Sequence, residues 1–320
     1  MGYVHPPSVT ATNYVRWAKE IQESPGVSLG GVLGLNIIPL RKGRVLGLLA
    51  RPGHMKTTLG AYFVKKEAMR LALAGLGDKF YTAHISWEQP VEELESLYQS
   101  SEGYGVTDVA WGRVPIKQVV IDSLDRPNVP VWLFGDSIYG TDLDSKPMTV
   151  DVVFDAIRGL WKQRGMLPSL LFFDYIQDIP VTDETNRIAQ VTSAMRRVKR
   201  LAIQAKCPVI VGIQANQRVD DYAVPIPGLR DAEWSSVIGQ KVDALVSMWK
   251  PIRTVRPDDD PYLNISGKSY ANSENLLVVK LLKQRFEKGF GTWALDFDPN
   301  TMILVDAVET KMKNVDLTKF

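Results

Sequence analysis

The chain has a single cysteine, Cys207, and only three histidines, His5, His54 and His84. One cysteine excludes an intrachain disulfide and any cysteine-cluster metal site, and it suits a reducing compartment. The histidines are too dispersed to suggest a zinc site. No stretch approaches the ~20 uninterrupted apolar residues of a spanning helix, and the N-terminus is not signal-like, so the expectation is a soluble chain in the cytoplasm. Charge is nearly balanced, with 38 Lys and Arg against 36 Asp and Glu for a net of +2. No global field therefore draws the chain to nucleic acid, and any such binding has to come from local loops. Internal repeats and low-complexity segments are missing as well.

What is present is a globular composition, 45% hydrophobic and 23% charged over 320 residues, with ample length for a buried core. Short apolar runs at 45–50, 80–86, 129–134, 169–174, 208–214 and 244–249 predict strands. Several alternate with helical patterns, which predicts an α/β fold with a mainly parallel central sheet and helices on both faces. Further strands at 275–282, 292–297 and 302–305 follow without intervening helices and predict antiparallel hairpins at the C-terminal end. Residues 1–12 read as an irregular arm. Helix 13–23 carries one apolar stripe, Tyr14, Trp17, Ala18 and Ile21, to be covered either by its own domain or by a neighbouring subunit. Helix 149–164 presents Val152, Val153, Ile157 and Leu160. Helix 186–205 is basic and amphipathic, its Arg196, Arg197, Lys199 and Arg200 reading as the wet face of a core-packed helix.

The stretch around which the rest is organised is Leu49-Ala50-Arg51-Pro52-Gly53-His54-Met55-Lys56-Thr57-Thr58-Leu59. A strand, a tight turn, Lys-Thr and a helix form the layout of a phosphate-binding loop. The turn's N–H groups and the helix N-terminus face one point, which suits an anion. Residues Ala50 to Thr58 would cradle it, Lys56 would supply a point charge for the β- and γ-phosphates, and Thr57 would sit on Mg²⁺. The pattern G-x-x-x-x-G-K-[ST] has glycines where this chain has Ala50 and Met55. A Cβ at the second place costs about 1–2 kcal/mol if φ is positive, and Gly53 is a candidate to carry the bend instead. The plain alternative is an ordinary strand-to-helix turn.

In open α/β sheets ligands sit beyond the carboxyl ends of the strands. Asp174 there suits holding Mg²⁺ through water, Glu88 suits orienting an attacking water, and Gln214 suits sensing a γ-phosphate. Each also reads plainly as a polar strand terminus or a helix-start charge. Lys283 and Arg285 precede what reads as a hairpin tip, a place from which paired cations can stabilise phosphate on an adjacent protomer or simply be solvated. The loops 178–187 and 215–235 leave the same edge as the phosphate site. Arg218 and Arg230 are the cations chosen for nucleic-acid backbone phosphates, with Tyr222 and Trp234 nearby to stack bases or pack.

Taken together, residues 30–308 resemble the C-terminal ATPase domain of DnaB-type replicative helicases, a RecA-like P-loop NTPase fold. The segment 49–59 looks like that family's phosphate loop. Ile85-Ser-Trp-Glu-Gln-Pro90 looks like its Ser-Leu-Glu-Met-Pro segment, Phe173-Asp-Tyr-Ile-Gln177 its Asp-Tyr-Leu-Gln, the strand 207–218 its Pro-Val-Ile strand, and Leu282-Lys-Gln-Arg285 its Lys-Gln-Arg finger. The resemblance implies ATP and Mg²⁺ as cofactors, Glu88 as the catalytic carboxylate, and Lys283 and Arg285 acting in trans. It implies a homo-oligomer, a hexameric ring, unwinding or translocating on single-stranded DNA in replication, either in bacteria or from a phage or mobile element in a host cytoplasm. Departures are Met55 and the segment after Arg230. The family's helical domain that meets primase is not found here, so primase docking through such a domain is not expected. Residues 1–29 read as an arm with a linker-type helix and 309–320 as a tail. The alternatives are a nucleotide-binding ring that acts as a DNA-associated scaffold with weak or no unwinding, and a recombinase-type relative.

Overall fold

The computed structural model describes residues 5–23, 26–37, 39–99, 104–125, 128–140, 147–233, 237–285 and 290–310. Trp234, the tip 286–289 and residues 311–320 lie outside the described residues. In chain order the elements are α1 (Pro7–Glu23), α2 (Gly31–Asn36), β1 (Val45–Ala50), α3 (Lys56–Leu73), β2 (Phe80–Ser86), α4 (Val91–Gln99), α5 (Val106–Ala110), α6 (Ile116–Asp125), β3 (Val131–Phe134), α7 (Val150–Arg164), β4 (Leu167–Asp174), α8 (Arg187–Gln204), β5 (Val209–Gln214), α9 (Val237–Lys241), β6 (Ala244–Trp249), β7 (Tyr262–Ile265), β8 (Lys268–Ala271), β9 (Leu276–Gln284), β10 (Gly291–Asp298) and β11 (Ile303–Asp306).

Nine strands form one sheet in the order β11-β10-β9-β6-β1-β5-β4-β2-β3. The six from β6 to β3 run parallel, and β9, β10 and β11 continue antiparallel beyond β6. This is the predicted α/β architecture. Its cause is visible in β1, where all six residues are buried. Successive side chains point to opposite faces, so Val45 and Leu49 join an apolar cluster with residues of α7 and α8, while Leu46 and Leu48 join one with residues of α3 and α4. Phe172 and Phe173 divide in the same way. Each fully buried side chain of this kind contributes roughly 1.5–3 kcal/mol, which leaves a sheet covered on both sides as the stable solution.

Several boundaries differ from expectation. Helix α1 starts at Pro7, because proline is well suited to a first helical position where no N–H is required. Its Tyr14 and Trp17 are 64% and 48% exposed, so the described residues leave that part of the stripe largely uncovered; the side chain of Ile21 is outside the described set. In α7, Thr149 caps the N-terminus by accepting from Val152 N at 3.3 Å, and Val150, Val153 and Ile157 are buried whereas Val152 is exposed. Helix α8 is capped by Asn186, with Met195, Val198 and Leu201 inward and Arg197 outward on Asp151 and Asp183. The hairpin β7–β8 has no counterpart among the expected strands. It builds a small cluster of its own with Trp249, Tyr270, Leu276 and Val278.

Candidate active site

Register places the phosphate-loop chemistry at one edge of the sheet. Ala50 pairs with Gln214, Ser86 with Asp174, and Ala215 N donates to Ala50 O at 2.9 Å. The ends of β1, β2, β4 and β5 therefore converge, and their loops share one side.

The loop from Ala50 to Thr58 has the geometry of an anion cradle. Gly53 has φ +78 and Met55 φ +69, so both residues carry positive φ and the bend is shared between them. Met55 thus keeps a conformation that normally calls for glycine. Its side chain packs against the cluster of Leu46, Leu48 and Leu59, and that burial offsets a strain of about 1–2 kcal/mol. The N–H groups of Gly53, Met55, Lys56, Thr57 and Thr58 donate to no protein acceptor among the described residues. They lie at the positive end of the 18-residue helix α3.

Lys56 is the first residue of α3 and only 8% exposed. Its Nζ lies 4.3 Å from the centroid of the Tyr175 ring, and among the described residues it makes no hydrogen bond or ion pair. Burial pushes its pKa down, against the pull of Asp174, Glu88, Asp178 and Glu233. Asp174 is buried at the end of β4, and its Oδ1 has no hydrogen-bond partner among the described residues. Gly212 on β5 makes room for it, since a Cβ there would stand 3.1 Å from that oxygen. Glu88 follows β2 on the exposed rim. Desolvation, then the charge of Asp174, raises its pKa while Lys56 opposes, which moves it toward the range of a useful proton acceptor.

A carboxylate oxygen without a partner, beside a helix start bearing Thr57, fits a divalent cation held mostly by water and phosphate. Mg²⁺ is such a cation, keeping several waters and taking few protein ligands.

The remaining residues singled out from the sequence divide between internal partners and open surface. The Arg51 guanidinium turns away from the cradle. Its Nε and Nη2 donate to Asp220 at 2.9 Å each and its Nη1 to Ala215 O at 3.0 Å. Pro52 is exposed. His54 is buried, and its Nδ1 accepts from Lys250 N at 2.9 Å; burial first, then Arg253 and Arg51, hold its pKa down to about 4 against Asp220. The backbone of Gln214 is gripped by the Gln177 amide, which donates to its carbonyl at 3.0 Å and accepts from its N–H at 3.1 Å. Arg218, chosen for nucleic-acid phosphates, donates instead to Asp231 at 2.7 and 3.0 Å, so its charge is met within the chain. Arg230 is exposed and forms no ion pair among the described residues.

Lys283 and Arg285 stand at the opposite edge of the sheet from Lys56, because β9 runs antiparallel to β6. Lys283 Nζ donates to the carbonyls of Gly239, Gln240 and Val242, and Arg285 Nε lies 3.5 Å from Asp243. Neither can reach the phosphate loop of its own chain.

Two residues near the site escape a reading of the sequence. Gln177 stands out only as part of a motif, and its i+3 spacing from Asp174 is the available signal. His84, considered only as a zinc ligand, is fully buried on β2. Its Nδ1 is 2.9 Å from Tyr98 Oη and its Nε2 is 3.7 Å from Asp174 Oδ2. Period-2 alternation places it on the same face as Ser86, the residue that pairs with Asp174.

Comparison with known proteins agrees with this geometry. The chain is similar to a probable plasmid replicative DNA helicase of Chlamydia psittaci, 28% identical over 214 residues, which cover 65% of this chain and 43% of that protein. It is similar to a probable replicative DNA helicase of Trieres chinensis, 23% identical over 160 residues, 49% of this chain and 32% of that one. The aligned regions thus span less than half the length of either relative. Among solved structures, one of an ATPase domain superposes with a TM-score of 0.71 at 16% identity, covering 93% of this chain and 98% of that one. A DnaB-like replicative helicase, from a study of its interactions with primase, gives 0.70 at 18%, covering 92% and 67%. These likenesses show the RecA-like fold. The family model described as the DnaB-like helicase C terminal domain matches residues 36–304, most of the chain, and the chain belongs to that family.

Proposed function

We propose that this chain is the ATP-hydrolysing module of a ring-forming helicase or translocase that moves on single-stranded DNA during replication. One observation carries the reading. Among the described residues, five N–H groups without acceptors surround the start of α3, beside a buried lysine without a hydrogen bond and a buried carboxylate oxygen without a partner. Any helix start leaves N–H groups unpaired, but that does not account for the buried lysine and carboxylate oxygen beside them; a triphosphate would take the N–H groups and the lysine, and its Mg²⁺ the carboxylate.

In this reading the loop from Ala50 to Thr58 binds the phosphates through its backbone, and Lys56 places its charge on the β- and γ-oxygens. Thr57 and Asp174 hold Mg²⁺, which neutralises charge on the phosphates when bound. Glu88 orients the attacking water and accepts its proton. Gln214 senses the γ-phosphate from the end of β5. Lys283 and Arg285 serve the site of the next protomer, since their sheet edge faces away from their own. Helix α1, with Tyr14 and Trp17 uncovered, docks on a neighbouring subunit. Arg230 and the loops 178–187 and 215–235 meet the DNA strand, while Arg218 is held back by Asp231.

The test is ATP hydrolysis with and without single-stranded DNA, together with the mass of the assembly in Mg-nucleotide. Lys56→Ala and Glu88→Ala should each abolish DNA-stimulated turnover; turnover that survives both changes removes the site assignment. The second reading, a nucleotide-binding ring that acts as a scaffold, is favoured by Met55 in the loop and by the internal engagement of Lys283 and Arg285. Strand displacement on forked DNA separates the two.

A further inference from the structure

Arg51 follows the last residue of β1, inside the phosphate loop, yet its side chain is engaged elsewhere. It makes a bidentate fork on Asp220, with a further contact from Nε to Oδ2 at 3.2 Å, and a bond to Ala215 O. Planar two-point pairing of this kind fixes orientation as well as distance. Asp220 belongs to the 3₁₀ turn Gln217–Asp221 at the start of the segment that runs to Glu233.

That segment is cross-linked to itself. The buried Asp231 carboxylate accepts from Arg218, from Tyr222 Oη at 2.9 Å and from Gly228 N at 2.7 Å. Asn216 N donates to Asp231 O at 2.7 Å, Arg218 Nη2 to Arg230 O at 3.0 Å, and Glu233 N to Gln214 O at 2.9 Å. Val219 and Ala232 anchor it in the core. A loop tied at this many points moves as one piece, and Arg51 grips it at Asp220 from the phosphate side.

We infer that Arg51 and Asp220 form a strut that transmits the state of the phosphate loop to the 215–233 segment, so that nucleotide occupancy sets the affinity for single-stranded DNA. The inference rests on the proposed helicase reading and adds to it a named positioning pair. Closure of the loop on a triphosphate displaces the Arg51 backbone, and the fork carries Asp220, the 3₁₀ turn and the rest of the block with it. Isolated ion pairs at a surface add little to stability, so cutting the strut should uncouple the two sites without unfolding the chain.

The experiment measures the dissociation constant of a fluorescent oligo-dT by anisotropy, with and without a Mg-bound non-hydrolysable ATP analogue. The reciprocal measurement, analogue affinity with and without oligo-dT, must give the same ratio by linkage. Wild type should show a ratio on the order of tenfold. Asp220→Ala and the near-isosteric Asp220→Asn should bring both ratios to within about twofold of unity, with analogue affinity in the absence of DNA unchanged, and Asp220→Glu should restore most of the wild-type ratio. A wild-type ratio retained in Asp220→Ala overturns the strut. Equal weakening of DNA binding in both nucleotide states also overturns it, since that marks a merely structural or direct-contact role. A wild type that binds no oligo-dT, or binds it identically in both states, overturns the helicase reading and the strut with it.

Discussion

At the carboxyl ends of β1, β2 and β4, Lys56 and Asp174 are buried, and Lys56 Nζ, Asp174 Oδ1 and the adjacent His84 Nε2 have no hydrogen-bond partner among the described residues. At the opposite ends of β1, β6 and β9, Asp243 is also buried but accepts from Val45 N at 2.8 Å and from Lys199 Nζ at 2.5 Å, with Arg285 and Arg44 within 4 Å. Lys283 is bound there by three carbonyls. Both regions bury charge in the same sheet. One is satisfied by the chain itself and needs no ligand to complete it. The other leaves groups that each cost about 1–3 kcal/mol when unpaired, and that contrast is what supports a ligand there. Satisfaction of hydrogen bonds separates a structural ion cluster from a binding site more clearly than burial or charge does.

The sharpest way to break this contrast is to remove the acid at each edge. Asp243→Ala takes the acceptor from the Val45 N–H and the carboxylate from Lys199, whose Nζ keeps only Gly43 O at 2.7 Å, and should cost about 2–3 kcal/mol in urea unfolding. Asp174→Asn should leave stability within about 1 kcal/mol of wild type while abolishing Mg-dependent hydrolysis. Equal losses of stability would erase the distinction. Next in size is Lys56→Ala, which should abolish DNA-stimulated turnover while leaving stability within about 1 kcal/mol of wild type, since the lysine removed is desolvated and makes no hydrogen bond among the described residues, its Nζ resting on the Tyr175 ring; steady-state kinetics and thermal melting report the two effects. His54 sharpens the comparison through pH. Its folded pKa of about 4 lies below the unfolded value of 6.5, so the unfolded chain binds the extra proton between these values. Stability is then full above about pH 6.5 and lost as pH falls toward 4, by on the order of 3 kcal/mol at most. His54→Asn, whose amide oxygen can accept from Lys250 N, should flatten that part of the stability–pH curve. The smallest effect is expected at Met55→Gly. Relief of positive φ and loss of side-chain packing oppose each other, leaving a net change within about 1 kcal/mol, as chemical denaturation would measure.

The groups at the binding edge are legible because they interrupt local patterns. Asp174 closes a run of apolar residues, Lys56-Thr57 opens a helix after a Pro-Gly turn, and Gln214 ends another apolar strand. The satisfied edge carries no such signal: Asp243 and Lys199 are 44 residues apart in sequence and meet only where α8 packs beside the start of β6. Hairpin β7–β8 escapes detection although Leu263 and Ile265 alternate inward and Ser266-Gly267 supplies a tight turn with positive φ at both places. Its two four-residue strands are short, and its apolar partners Trp249 and Val278 come from strands elsewhere in the chain.

Periodicity and strand-end chemistry by themselves determined the α/β class, the parallel core with antiparallel strands after it, and the candidate phosphate loop, because each depends on residues within a few positions of one another. Tertiary structure alone decided that Lys283 and Arg285 face away from their own loop, that Arg51 and Arg218 are claimed by Asp220 and Asp231, and that Met55 holds a glycine-like conformation with its side chain packed. Those outcomes depend on strand order and on which carboxylate lies within hydrogen-bond reach. Both are properties of the assembled sheet, in which partners distant along the chain are brought into contact.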